Sequence, residues 1–377
     1  MTFVLLLVWE VAMRHMGLRA GDLDDGREYW AAERRKVDAG PRDSVVLIGD
    51  SRILFDTDLA KWQALTGRRP IQLALMGSNA QPVLHDLAAD EHFAGLLVIG
   101  TAELSYFNDG AGSAADALDY RKNESPSQRV GHELYKQASR YLAFLDSNST
   151  LFTLIERHDW PERKGTWGPY KDVWKLGEVH DDRQTHLWNQ LEGDAYLREH
   201  AQRVWLEIYS GDVTSSDMVD QVIAAAKPDI DRIRARGGEV VWVRPPSAGP
   251  ILAKERLRYP RSKTWDRVVH DTGSLGVYFE DYPQMQHLSI PDWSHLSQAS
   301  AVTYTDAYVR VLLDRVDWLK THSRAWAIKK DSGRQIAQGT RAKLDRVHPF
   351  GNTKTSPATP ADGKPKREHD VSVNLGP

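Results

Sequence analysis

The chain has 377 residues, room for two to three domains at about 150 residues each, and its 49 Lys and Arg against 52 Asp and Glu leave a net charge of −3, which argues against a basic surface built for nucleic acid. It has no cysteine, so disulfides, thiolate metal sites, iron–sulfur clusters and a cysteine nucleophile are excluded together. With 27% charged residues it is not a polytopic membrane protein, and its 13 tryptophans against 8 phenylalanines read mainly as core residues, with sugar stacking as the alternative.

In chain order, Phe3 to Met13 (FVLLLVWEVAM) is an apolar stretch interrupted by Glu10 and followed by Arg14, His15 and Arg19. It falls short of the roughly 20 apolar residues of a bilayer span and lacks the basic start and small-residue end of a signal peptide. Residues 1–20 are expected to form either a buried or interfacial helix or, preferred here, the C-terminal half of a membrane anchor whose beginning lies outside this chain. Asp22 to Ala39 reads as an acidic turn leading into a short charged helix, so 21–43 is expected to be a spacer lying against the globular body.

Five short runs are apolar throughout instead of alternating: Val45–Ile48, Ile71–Leu75, Leu96–Ile99, Val240–Val243 and Val277–Phe279. Such runs are typical of strands buried on both faces of a parallel sheet. Helical patterns lie between or after them at Asp58–Leu65, Pro82–Glu91, Met218–Arg236 and Leu296–Trp318. The alternation predicts a doubly wound α/β fold, a three-layer α/β/α sandwich on a five-stranded parallel sheet. The α/β domain is expected over 44–100 plus 238–323, with 101–237 as a helical insertion or cap. Within that insertion Arg129–Leu145 and Arg183–Tyr209 have helical spacing, and Trp160, Trp167, Trp174, Trp188 and Trp205 fall there. Residues 331–377, rich in Gly, Pro, Thr and Lys, are expected to be a disordered tail.

Ligands of such sheets sit beyond the carboxyl ends of the strands. Gly49-Asp50-Ser51-Arg52 follows the first strand, where a serine side chain would be exposed beside helix N–H groups; taken alone, these residues read better as a plain capped turn. Pro291-Asp292-Trp293-Ser294-His295 follows the fifth strand and is expected to open the last long helix, so that Asp292 and His295 meet on one face. Together with Ser51 they make the constituents of a Ser-His-Asp triad. Arg52 and Arg244-Pro245-Pro246 also lie at strand ends: Arg52 either binds an anionic sugar group or pairs with Asp56 or Asp58, and Arg244 is a second substrate-binding candidate. His180, Asp181, Asp182 and His186 hold a histidine pair six apart, not the i, i+4 spacing of a zinc helix, so neither metal nor cofactor is expected.

These blocks resemble the SGNH (GDSL-type) hydrolases and acyltransferases. Val45-Val46-Leu47-Ile48-Gly49-Asp50-Ser51 is similar to the first block of that family, Leu73-Ala74-Leu75-Met76-Gly77-Ser78-Asn79 to the second, and Asp292-Trp293-Ser294-His295 to the last. The resemblance implies a flavodoxin-like fold, Ser51 as nucleophile, His295 as general base and acid, Asp292 as its orienter, and the N–H groups of Ser51 and Gly77 in an oxyanion hole. The third block departs from the pattern. Where the family usually carries Gly-x-Asn-Asp, this chain reads Gly100-Thr101-Ala102-Glu103, and Ala102 cannot donate. Either Asn79 or Asn108 substitutes, or activity is weak or lost; Glu103 either points inward, where it would repel an oxyanion and favour a protonated His295, or is a solvated loop residue, the reading preferred here. The resemblance, with the apolar N-terminus and the large insertion, further implies an O-acyltransferase or esterase acting on a cell-envelope or exopolysaccharide, with acetyl as the preferred acyl group. It would sit on the extracytoplasmic face of the inner membrane beside a membrane-bound O-acyltransferase partner. The alternative is a catalytically weak or inactive SGNH-fold protein that binds polysaccharide or serves as a scaffold in its assembly.

Overall fold

The computed structural model describes residues 1–108, 110, 112–150, 153, 175–209 and 212–326. Trp160, Trp167, Trp174 and the expected tail at 331–377 lie outside the described residues.

The five apolar runs become β1 (Val45–Gly49), β2 (Ile71–Gln72), β3 (Leu96–Gly100), β6 (Glu239–Arg244) and β7 (Leu275–Tyr278) of one parallel sheet, in the spatial order β2-β1-β3-β6-β7. Every residue of β1 and β3 is buried, which explains why neither strand alternates. The second run is a strand for only two residues, yet Leu73 and Leu75 continue to donate to Leu47 O and Gly49 O, at 2.8 and 3.0 Å.

Crossovers between parallel strands are right-handed, so connections that move in opposite directions along the sheet cover opposite faces. The step from β1 to β2 carries helices Ser51–Asp56 and Leu59–Thr66. The steps from β2 to β3 and onward run the other way, with Gln81–Ala89, Ser216–Ala235 and Trp265–Asp271. Packing agrees: the helix Gln298–Arg315 lies on Ser51–Asp56 and Leu59–Thr66, whereas Ser216–Ala235 lies on Gln81–Ala89 and Trp265–Asp271. The chain leaves β1 and β3 in opposite directions, and the crevice of a doubly wound sheet opens between such strand ends.

Three segments differ from expectation. Helix Arg27–Ala39 is more than a spacer: Trp30 and Val37 belong to the main core, and the Trp30 indole donates to Leu73 O at 2.9 Å. Helix Ser216–Ala235, placed by sequence within the insertion, covers the sheet through Val219, Ile223, Ala226, Ile230 and Ile233. The insertion also contains an antiparallel hairpin, β4 (Gly177–Val179) with β5 (Thr185–Leu187); its turn carries positive φ at Asp182 and Arg183 instead of at glycines, so no glycine marks it.

The N-terminal run is helical over Thr2–His15. Glu10, which breaks the apolar pattern, accepts from the backbone N–H groups of Ala143 and Phe144 at 3.0 Å each and from Arg14 at 2.6 Å. Although burial would raise its pKa, these donors hold it below the usual carboxylate value. Phe3, Val4, Leu5, Leu7, Val8 and Val11 on the same helix are exposed. No helix of the described residues is long and apolar enough to cross a membrane.

Candidate active site

Close approach of β1 and β3 shapes the floor of the site. A Cβ at Gly49, whose φ is +143°, would come 2.4 Å from Gly100 O, and one at Gly100 would meet the Ile53 side chain. Glycine on both strands therefore lets helix Ser51–Asp56 sit directly over their ends. Asp50 caps this helix, its carboxylate accepting from Arg52 N at 3.1 Å. Ser51 is thus the first helical residue, a position whose N–H has no acceptor within its own helix.

The loop after β7 brings the other two groups in. Ser51 Oγ lies 2.8 Å from His295 Nε2, and His295 Nδ1 lies 2.7 Å from Asp292 Oδ2. The contact between Asp292 and His295 is made in a turn, not on a helix face as expected, since the following helix begins only at Gln298 with Ser297 as its cap. Asp292 Oδ1 accepts from the N–H groups of Ser294 and His295 at 3.0 and 2.7 Å. Trp293 between them takes φ +67°, a left-handed conformation that a bulky side chain adopts only when its surroundings impose it. Asp292 is fully buried. Burial alone would raise its pKa, but the His295 ring and the hydrogen bonds it receives hold it below the ordinary aspartate value. Asp56 receives Leu296 N at 2.8 Å, and burial pushes its carboxyl well up, helped by the nearby charges of Asp292 and Asp50.

Ser51 and His295 open into a cleft of about 810 Å³, whose wall includes Phe55, Gly77, Leu104, Ser105, Leu176 and Trp205. Gly77 has φ +61° with open space where a Cβ would stand. Gly77 thus lines the cleft in a conformation that glycine reaches at no steric cost.

No protein-family model matches the chain, and no curated protein is significantly similar to it.

Five residues sit differently from their expected roles. Asn79 is no oxyanion donor: its amide donates to the carbonyls of Tyr106 and Asn108 at 3.3 and 3.1 Å, and its oxygen receives Gln81 N. Asn108 is likewise occupied, its amide donating to Leu104 O and Ser105 O. Arg52 and Arg244, expected at the substrate, are each 1% exposed and lie behind the cleft wall. Arg52 pairs not with Asp56 or Asp58 but with Glu255, and it also reaches Tyr209 Oη at 2.8 Å and Ser294 Oγ at 3.3 Å. Arg244 donates from Nε to both Glu103 oxygens at 2.9 and 2.8 Å, and from Nη2 to Glu255 at 2.7 Å. Glu103 is thus a buried partner in a four-charge cluster, not a solvated loop residue. Its charge is matched by Arg244, so it is not left facing the place where an oxyanion would form. Within the cluster Glu255, despite its burial, is held down to about 2 by Arg52 and Arg244.

Two contributors carry no sign of their role in the sequence. Trp205, from helix Ala195–Ile208, donates from Nε1 to Asp292 Oδ2 at 2.9 Å. Glu255, from helix Gly249–Arg258, binds both arginines. A lone tryptophan or glutamate within a helical pattern carries no local mark of such a role.

Proposed function

We propose that this protein is an SGNH-type serine esterase or acyltransferase, acting on acyl esters, with acetyl the preferred class, of a cell-envelope or extracellular polysaccharide. The observation that carries the reading is the unbroken chain of hydrogen bonds from Ser51 Oγ through His295 to Asp292 at the mouth of an open cleft. In this reading His295 Nε2 takes the Ser51 hydroxyl proton as Oγ adds to the ester carbonyl. The N–H groups of Ser51 and Gly77 receive the oxyanion. His295 then returns the proton to the departing alcohol oxygen, leaving an acyl-Ser51. A sugar hydroxyl or water gives its proton to His295, attacks the acyl carbon, and restores the serine. Transferase and hydrolase share every one of these groups and differ in which hydroxyl enters the second step.

Ala102 leaves the proposed oxyanion hole with two backbone donors in place of three. One such donor is typically worth about 10²- to 10³-fold in kcat, so slow turnover of simple esters is expected. The exposed apolar face of helix Thr2–His15 supports work at a membrane surface, where the proposed partner, a membrane-bound O-acyltransferase, would supply the acyl group. The test is hydrolysis of p-nitrophenyl acetate, and acetyl transfer to a glycan acceptor, by wild type and Ser51→Ala. The substitution is expected to abolish both without lowering the melting temperature. Equal rates in the two proteins would refute the enzymatic reading and leave a polysaccharide-binding scaffold on this fold.

A further inference from the structure

Helix Ala195–Ile208 belongs to the long segment between β3 and β6, outside the strands and turns that supply the triad. It nevertheless touches the triad loop at successive points. Gln202 Nε2 donates to Pro291 O at 2.7 Å, and Trp205 Nε1 donates to Asp292 Oδ2 at 2.9 Å. Tyr209, just past its end, reaches Arg52, whose Nε in turn holds Ser294 Oγ. The Trp205 ring also stands edge-on to the His295 ring, with centroids 5.6 Å apart.

Asp292 is 0% exposed, and its two oxygens receive four donors: two backbone N–H groups on Oδ1, and His295 Nδ1 with the Trp205 indole on Oδ2. A buried carboxylate with two oxygens has about four acceptor sites, so the tryptophan completes the set. Because Trp205 and His295 share one oxygen, the indole draws on the same charge that orients the imidazole and stabilises its protonated form.

We propose that Trp205 is a positioning residue for the triad: the inserted helix Ala195–Ile208 sets the strength of the bond between Asp292 and His295 through the indole N–H. The proposal rests on the serine-esterase reading only for its kinetic consequence; the bond itself is there whether or not the protein turns over a substrate. Removing the indole donor leaves the Asp292 charge less dispersed. The His295 Nδ1–H bond then strengthens, and the imidazolium that forms during reaction becomes harder to deprotonate. The other charged groups near this couple are Asp50, Asp56 and Arg52, and none of them changes with Trp205.

The experiment uses the full chain and Trp205→Phe, which keeps a ring beside His295 and deletes the donor. In proton NMR the His295 Nδ1–H resonance is expected to move downfield in the variant, a measurement that needs no substrate. Modification of Ser51 by a fluorophosphonate, followed against pH, is expected to show its acidic limb moved to higher pH by about half to one unit, the shift that one ordinary hydrogen bond implies. In wild type, the Trp205 indole proton is expected to resist exchange in D₂O, a readout that survives even if the variant folds poorly. An unshifted Nδ1–H resonance in a folded variant, or a Trp205 indole proton that exchanges as freely as an exposed one, overturns the proposal. A wild-type protein inert to the fluorophosphonate and to esters, with the NMR shift present, instead overturns the esterase reading and leaves the positioning role standing.

Discussion

Glu255 is the residue whose loss should be felt most widely. Its carboxylate is 2% exposed and holds Arg52 on one oxygen, Arg244 at 2.7 Å and the Ser247 hydroxyl at 2.5 Å on the other. Glu255→Gln keeps the size of the side chain and removes the charge, leaving two buried guanidinium groups to share Glu103. Breaking a buried pair from one side costs about 3–5 kcal/mol, because the remaining charge has neither water nor partner. At about 2 °C or more per kcal/mol for a domain of this size, the melting temperature should fall by roughly 6 °C at least. The pH dependence gives an independent check. The Glu255 carboxyl is held down to about 2 by Arg52 and Arg244, below the ordinary carboxylate value. A depressed carboxyl contributes stability that is fully present above the unfolded value and is lost as pH falls through the folded one. Wild type should therefore lose this contribution between about pH 4 and pH 2, and in Glu255→Gln that part of the acid limb should be missing. Urea unfolding across this pH range measures both effects. A loss under about 1 kcal/mol at neutral pH, or an acid limb that is the same in both proteins, would refute the view that the cluster depends on this charge.

Gly77→Ala meets no neighbour but forces an L residue to φ +61°, a strain of about 1–2 kcal/mol. A modest drop in melting temperature is expected, with a larger loss in kcat than in KM if the Gly77 N–H serves the oxyanion; a variant that keeps full kcat would remove that residue from the proposed hole. Full-length protein should co-sediment with phospholipid vesicles, and the paired substitution Leu5→Glu and Val8→Glu, at exposed positions of the first helix, should release it without altering ester hydrolysis. Retention of the doubly substituted protein on vesicles would move the membrane contact elsewhere.

What the sequence made legible were features whose cause is local. The five strand runs stood out because a parallel strand buried on both faces has no polar side to interrupt it, as all five buried positions of β1 and of β3 illustrate. Ser51, Asp292 and His295 were legible because each directly follows a strand or its loop, and because Asp292 and His295 are close enough in sequence for a turn to join them. The turn itself was read as a helix start, since the left-handed Trp293 that makes it has none of the glycine or asparagine that marks such backbones. Arg52, Arg244 and Glu103 were misassigned for a different reason. A charged residue at a strand end looks the same whether it faces substrate or a buried countercharge, and the decisive partner, Glu255, lies 203 positions from Arg52 in the chain.

The same consideration explains why the site is more dependent on the rest of the chain than its short motifs suggest. Ser294, between Asp292 and His295 in the triad loop, is held by Arg52; Arg52 is held by Glu255 and Tyr209; Glu255 also holds Arg244, which ties Glu103 and so the turn after β3. Trp205 and Gln202 fasten the same loop from the opposite side. The turns after β1, β3 and β7 are thus joined by charges that have no access to water, and each pair is strong because its neighbours exclude solvent. Ala102 and Glu103 acquire a physical meaning in this arrangement. Residue 102 offers no side-chain donor, and the adjacent carboxylate is committed to Arg244, so this strand end braces the site while Gly77 lines the cleft. If catalysis occurs here, its rate should respond to substitutions at Glu255 and Trp205, neither of which lies in a recognisable motif, as well as to substitutions at Ser51.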